Sequence, residues 1–316
     1  MIAKSVGEQM GVQGCSQGGN MLHLLLALGA GTLSLSVAQA SDTNFIEQIL
    51  EPKVIYGEDD RQDLYELNDP YRITMAESTV ALVKAYKVQG HGERYFLKGS
   101  NYQKAYGLCE TERFIEQDIS SYCTGALIDK DKVLTAGHCV RNKCGSEKYV
   151  FDYNKKTKYK DAYEIPASSV YSCKKVLHRS LEGGKDFAIV QLDRQVLDRE
   201  PLSVYRGQDL PNKTSVYVMS YLAGLPLKYS GDAYIRDNQP QHFYIVNTDT
   251  YGGSSGAPVF DEITNEIIGI LSSGEMDFVA EPGSACQVSQ RCAMDACRGE
   301  FVTKMTSILD ATNGDL

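Results

Sequence analysis

Leu134-Thr135-Ala136-Gly137-His138-Cys139 closes a short β-type run, Lys132 to Thr135, and sets a histidine between a glycine and a cysteine. Alone, such a string describes equally well a packed histidine beside a disulfide. Two more stretches change the reading. Forty-eight residues on, Gly184-Lys185-Asp186-Phe187-Ala188-Ile189-Val190 places an acid at the mouth of an apolar strand. Sixty-nine further, Gly252-Gly253-Ser254-Ser255-Gly256-Ala257-Pro258-Val259 puts a serine in a glycine-rich turn that enters another strand. These residue types belong together chemically. A serine hydroxyl is a poor nucleophile at its own pKa, so a neutral imidazole must take its proton during attack. A buried carboxylate fixes the imidazole tautomer and stabilises the cation that forms. Small residues before the serine let backbone N–H groups face a developing oxyanion. The candidate catalytic set is therefore His138, Asp186 and Ser255, with the Gly253 and Ser255 N–H groups as oxyanion donors.

Outward from these strings, the chain alternates short β-type runs with turn residues. The runs are Thr79 to Val88, Lys132 to Thr135, Tyr149 to Tyr153, Phe187 to Leu192, Ser215 to Ser220, His242 to Val246 and Glu266 to Leu271. They are rich in Val, Ile, Tyr and Thr, the residues that suit a pleated sheet. Phe301 to Leu309 has helical spacing and predicts a closing helix. About a dozen strands over this length imply an all-β barrel or sandwich, and the Pro201 region suits a crossover between two halves. The 316 residues, 42% hydrophobic and 23% charged, suffice for one or two cores and do not describe a disordered chain. Against 41 Asp plus Glu there are 32 Lys plus Arg, a net charge of −9, without a long basic run. That balance argues against a nucleic-acid surface or an anionic-membrane binder.

The order His, Asp, Ser and the strings around them resemble the trypsin/chymotrypsin superfamily of serine endopeptidases. The resemblance covers most of the chain after its leader and implies two six-stranded antiparallel β-barrels with a short C-terminal helix. Residues 54-195 would form the barrel carrying His138 and Asp186, and residues 196-316 the barrel carrying Ser255. The expected partners are protein or peptide substrates, with no cofactor, metal or nucleic acid, and a monomer as the default. Cys123-Thr124-Gly125-Ala126-Leu127-Ile128 is similar to the family's strand whose cysteine bridges the one after the histidine, which implies a Cys123–Cys139 disulfide. Ile270-Leu271-Ser272-Ser273-Gly274 sits where the family pairs with substrate, which implies that Ser272 approaches Asp186. Val54-Ile55-Tyr56-Gly57 and Thr250-Tyr251-Gly252-Gly253 bring the chain closer to the bacterial secreted glutamyl endopeptidases. Two departures stand out. Ser254 replaces the aspartate that captures a new N-terminus in the animal enzymes, and no tryptophan follows Ser272.

At the N-terminus, an apolar run from Leu22 to Val37 ends at Ala38-Gln39-Ala40, the layout of a signal peptide over residues 1-40. Mature protein would then have no membrane segment. By the resemblance, residues 41-53 form a propeptide cut after Lys53, with Val54 as the mature start. Cleavage after Ala40 leaves eight cysteines: Cys109, Cys123, Cys139, Cys144, Cys173, Cys286, Cys292 and Cys297. An even count in an exported chain reads as a disulfide framework. Zinc is the rival for Cys286, Cys292 and Cys297, but no C-x-x-C pair or neighbouring histidine supports it. Apart from Cys123 and Cys139, six cysteines allow fifteen pairings.

Specificity for the residue preceding the scissile bond (P1) is less constrained. Asp249 lies six residues before Ser255, where trypsin-like enzymes carry the acid that binds Arg or Lys, though the same string occurs in glutamyl endopeptidases. The glutamate-cleaving relatives place a histidine on the strand where this chain has Leu271. Basic P1 residues are favoured over acidic ones, with an apolar or broad preference as a third option. Thr250, Leu271, Ser272 and Gly274 are the remaining candidate substrate contacts. Glu58-Asp59-Asp60 reads as a solvated acidic segment rather than a calcium site. The alternative from another class is a protease-fold binding protein without turnover. All of His138, Asp186, Ser255 and Gly253 are present, which speaks against it. An esterase with a Gly-x-Ser-x-Gly elbow needs a βαβ context that is missing here.

Overall fold

The computed structural model describes residues 54–159 and 162–316. The expected leader and propeptide, residues 1–53, lie outside the described residues. Twelve strands build two closed antiparallel barrels. The first contains β1 (Thr79–Lys84), β2 (Ser121–Asp129), β3 (Lys132–Thr135), β4 (Glu147–Val150), β5 (Val170–Ser180) and β6 (Phe187–Leu192). Its order is β4-β5-β6-β3-β2-β1, closed by pairing of β1 with β4. The second contains β7 (Ser215–Ser220), β8 (Lys228–Asp237), β9 (Phe243–Val246), β10 (Pro258–Asp261), β11 (Ile267–Ser273) and β12 (Glu300–Lys304). Its order is β7-β10-β11-β12-β9-β8, closed by β7 against β8, with Gln62–Asp63 added along β8.

The near-continuous apolar runs follow from burial on both strand faces, because successive side chains point to opposite sides. Along β1, Val80 and Leu82 enter a core with Leu127, Val133, Val190 and Leu192. Ala81 and Val83 join a different cluster that also holds Tyr217, Met219, Phe260 and Ile270 of the second barrel. That second cluster welds the barrels together. The second barrel's own core contains Val216, Val218, Ile235, Val246, Val259, Leu271 and Val302.

Phe301 to Leu309 is a strand followed by a helix rather than one helix. β12 runs through Lys304 and only then does a helix, Met305–Ala311, begin. Pairing on both sides, with β9 and β11, decides this, and sheet partners outweigh an apparent helical spacing. Likewise β1 stops at Lys84, and Ala85–Lys87 form a 3₁₀ turn. An unexpected helix over Pro70–Glu77 is started by Asp69, whose carboxylate accepts the Tyr71 N–H at 2.9 Å, with proline in the first turn. Of Glu58 to Asp60, Glu58 is exposed, but the other two acids are engaged. Asp59 pairs with Arg61 at 2.6 Å and Arg113 at 3.0 Å, while Asp60 accepts the Ser230 hydroxyl and the Gly231 N–H.

Four disulfides join Cys109 to Cys286, Cys123 to Cys139, Cys144 to Cys173 and Cys292 to Cys297. The expected Cys123–Cys139 bridge is among them, and zinc is excluded at Cys286, Cys292 and Cys297. Four bridges indicate an oxidising environment for this chain. Among the described residues, no helix is long and apolar enough to cross a membrane.

Candidate active site

Register brings the histidine and the acid together. β6 pairs with β3 so that Ala188 faces Thr135, which sets the residues just before β6 beside those just after β3. Asp186 is buried and His138 retains 20% side-chain exposure. The two Asp186 oxygens divide the work. Oδ1 accepts the His138 backbone N–H at 3.0 Å, and Oδ2 lies 2.6 Å from Nδ1. An ionised carboxylate only accepts, so Nδ1 carries hydrogen and Nε2 is left as the basic nitrogen. Gly137 makes this approach feasible, since a Cβ there would meet the Ser180 carbonyl at 2.3 Å and Asp186 Oδ1 at 3.0 Å. Arg179 fastens the loop from its other side by donating to the Gly137 and Val140 carbonyls at 2.7 and 2.9 Å.

Ser255 stands in a turn pinned to the first barrel. Thr124 N–H donates to the Ser255 carbonyl at 2.8 Å, and Cys139 Sγ lies 3.6 Å from the same oxygen. The residue following His138 is thus in contact with the serine's backbone. Thr124 Oγ1 donates to the Gly253 carbonyl at 2.9 Å and accepts the Tyr221 N–H at 3.0 Å. Turning that carbonyl inward needs the positive φ of Gly253, +92°. Among the described residues, no hydrogen bond engages the N–H of Gly253 or of Ser255. Ser254 is fully buried and donates to Ser220 Oγ at 3.1 Å, so a neutral hydroxyl pair stands beneath the turn.

The candidate substrate residues separate into groups. Asp249 is buried against the N-terminal segment, and its Oδ1 accepts the Tyr56 N–H at 2.7 Å. Its Oδ2 has no hydrogen bond among the described residues, and burial pushes the carboxyl pKa up to about 8. The side chain of Leu271 packs in the second barrel's core. Ser272 gives its hydroxyl to the Phe301 carbonyl at 3.1 Å rather than to Asp186. The hydroxyl that does reach Asp186 belongs to Thr303, on the backbone carbonyl at 3.2 Å. Thr250 Oγ1 donates to Glu300 Oε2 at 2.8 Å. Past Leu271, whose N–H donates to Ala257, the β10-facing edge of β11 has no strand partner among the described residues.

The sequence reading missed two acids beside this group, Glu300 and Asp277. Asp277 accepts the Gly252 N–H at 3.0 Å. For Glu300 a signal existed: an acid directly before Phe301-Val302-Thr303 opens a strand, and the helical reading of that stretch hid it. Among the described residues, the cluster with metal-like spacing is Cys123, His138 and Cys139, and its two cysteines are bonded to each other.

Residues 123–270 match the family model of the trypsin-like peptidase domain. That stretch, set in two paired barrels of chymotrypsin-like fold, is similar to a trypsin-like peptidase domain and supports a serine-type peptidase. Three solved structures illustrate the likeness. The Rv3671c protease of M. tuberculosis in its active form is 17% identical, with 78% of this chain and 84% of that one covered and a TM-score of 0.42. The Vibrio cholerae VesB protease is 14% identical, with 82% and 66% covered and a TM-score of 0.45. A Glu endopeptidase is 15% identical, with 82% and 98% covered and a TM-score of 0.48. Among curated proteins none matches the chain.

Proposed function

We propose that this protein is a secreted serine endopeptidase acting through His138, Asp186 and Ser255. The observation that carries the reading is the two-oxygen grip of Asp186 on His138, at 3.0 Å to its N–H and 2.6 Å to Nδ1. Such a grip fixes the ring and supports a reading in which Nε2 acts as a base. In the proposed reaction Nε2 takes the Ser255 proton as Oγ attacks the scissile carbonyl. The N–H groups of Gly253 and Ser255 receive the oxyanion. The imidazolium then protonates the departing amine, leaving an acyl-enzyme, and the same base activates water for the second half. Residues 1–40 serve as signal peptide and 41–53 as propeptide, and the four disulfides support an exported protein. The unpartnered edge of β11 supports binding of the substrate as an added strand along Ser272 to Gly274. Carboxylates near Gly252 and Gly274 support a basic P1 residue over an acidic one.

The test is a cleavage profile of purified protein on a mixed peptide library, beside Ser255→Ala. Cuts that vanish in Ser255→Ala, and fall about 10⁴-fold in Asp186→Asn, are expected. Folded protein that cuts nothing, or cuts equally well without Ser255, defeats the reading.

A further inference from the structure

We propose that Arg61 is a positioning residue for the reaction above: its guanidinium lies over the Tyr251 ring and so holds the oxyanion turn, Gly252 to Ser255, in the shape that aims the Gly253 and Ser255 N–H groups. The proposal rests on the endopeptidase reading and names what supports that site from the N-terminal segment. Arg61 is 1% exposed. Asp59 takes its Nε–H at 2.8 Å and its Nη2–H at 2.6 Å, and holds Arg113 at 3.0 Å besides. A buried pair of this kind loses in desolvation about what it gains in attraction, and apolar side chains of similar volume often stabilise as well. Packing alone therefore does not account for a cation here. What lies against the guanidinium does. Its carbon is 4.7 Å from the centroid of the Tyr251 ring and 5.6 Å from that of Phe114. Both distances fall within cation–π range, where the attraction grows once water is excluded.

Tyr251 is fully buried and immediately precedes the turn. Its carbonyl accepts the Ser254 N–H at 2.9 Å, and its own N–H lies 3.4 Å from Ser254 Oγ. The carbonyl of Gly252, one residue on, accepts the Ala223 N–H at 2.5 Å. The Tyr251 peptide thus sets the direction in which the Gly253 and Ser255 N–H groups leave the chain. Its ring is held from several sides. The hydroxyl donates to Ser289 Oγ, which donates in turn to Glu112. Phe278 is tilted against the ring with centroids 4.9 Å apart. Arg61 is the contact that the N-terminal segment supplies. That segment also grips the two residues before Tyr251. The Tyr56 N–H donates to Asp249 Oδ1 at 2.7 Å, and the Thr250 N–H lies 3.4 Å from the Val54 carbonyl. Residues 249, 250 and 251 are thereby tied in succession to residues 54–61. The first two ties use backbone groups of the segment, which almost any sequence offers. The third needs a particular side chain, and it falls on the residue that opens the turn.

The experiment takes one peptide that wild type cuts and measures kcat and KM for wild type, Arg61→Met, Arg61→Lys and the paired variant Asp59→Asn with Arg61→Met. The pair removes the ionic partners together, so no uncompensated charge is left buried. Arg61→Met and the pair should lower kcat about tenfold or more while KM stays within about threefold, the mark of an interaction made in the transition state. Arg61→Lys, which keeps a cation but not the fork on Asp59, should fall between them and wild type. A peptide trifluoromethyl ketone, which adds to Ser255 and places an oxyanion at the turn, should bind the pair about tenfold more weakly. The cleaved product peptide should bind it within about threefold of wild type, because no oxyanion forms. Urea unfolding of the pair should show a midpoint close to that of wild type. An unchanged kcat in folded Arg61→Met and in the pair overturns the proposal and leaves the endopeptidase reading intact. So do equal losses of ketone and product affinity, a Lys variant no better than Met, or failure of both Met variants to fold, each of which makes Arg61 a general support of the fold. Folded wild type that neither cuts peptide nor bonds the ketone overturns the endopeptidase reading itself.

Discussion

Gly256 shows how much of the site hangs on single atoms. Its φ is +83°, and a Cβ would meet the Thr124 carbonyl at 2.2 Å and the Ala136 N at 2.7 Å. Both neighbours are backbone, one on β2 and one just before the histidine, so neither can step aside. Gly256→Ala should lose about 2–5 kcal/mol, from left-handed strain and overpacking together. Gly283 has φ +76° but nothing within 4 Å, so Gly283→Ala should cost only about 1–2 kcal/mol. Urea unfolding in the Ser255→Ala background compares them, and equal losses would show that the contacts do not matter. Asp249 gives a prediction in pH. Its folded pKa of about 8 stands above the ordinary aspartate value of 3.8, so folded protein holds a proton that the unfolded chain releases. The stability this contributes is complete below about pH 4 and is lost as pH rises toward 8. Asp249→Asn should flatten that slope, and unfolding curves at pH 4.5, 6 and 8 with the same slope in both proteins would refute it. At this scale the triad was legible because each member sits in its own short string. Glu300 was not, because its neighbours Gly274 and Thr250 come near it only on folding.

Among the elements, the strands Lys132–Thr135, Phe187–Leu192 and Ser215–Ser220 could be read to the residue. Each has an apolar β-type centre, with Val in all three. The long strands β5 and β8 escaped notice because register shifts interrupt them, between Cys173 and Lys175 and between Val216 and Val218 of the partner strand. Bulges break the period-2 pattern on which a sequence reading depends. Ile55–Tyr56, the segment at the proposed mature start, is held as a strand against Arg291–Cys292 and by Asp249. The serine turn beneath it relies on Ser254 and Ser220, two neutral hydroxyls, and asks for no new ammonium. A Lys53→Ala protein that keeps residues 41–53 should therefore retain Ser255-dependent turnover within about tenfold of the cleaved form. Complete silence beside an active cleaved form would mean that a charge at Val54 is required after all, since the hydroxyl pair would then be insufficient to set the oxyanion turn.

At the largest scale, the two barrel cores and the cluster between them join the strands of both barrels into one core system, but long loops carry much of the site. The segment from Asp277 to Cys297 contains only short strands, Phe278–Ala280, Gln287–Ser289 and Arg291–Cys292. It nonetheless supplies Asp277 to Gly252 and Ser289 to the Tyr251 hydroxyl, both next to the serine turn. Its ties to the rest are covalent as well as polar. Cys109–Cys286 spans 177 residues of sequence, whereas Cys292–Cys297 spans 5. If the bridges act by restricting the unfolded chain, their contributions scale with the logarithm of loop length, about 5 kcal/mol against about 2 kcal/mol. The paired variant Cys109→Ala with Cys286→Ala should thus lose roughly 3 kcal/mol more than Cys292→Ala with Cys297→Ala, measured by urea unfolding without reductant. The long bridge also fixes the loop that meets Gly252, so its loss should depress kcat on a good peptide more than KM. Equal stability losses would refute the entropic account. An unchanged kcat would separately show that the hydrogen bonds of Asp277 and Ser289 hold the loop without the sulfur bridge.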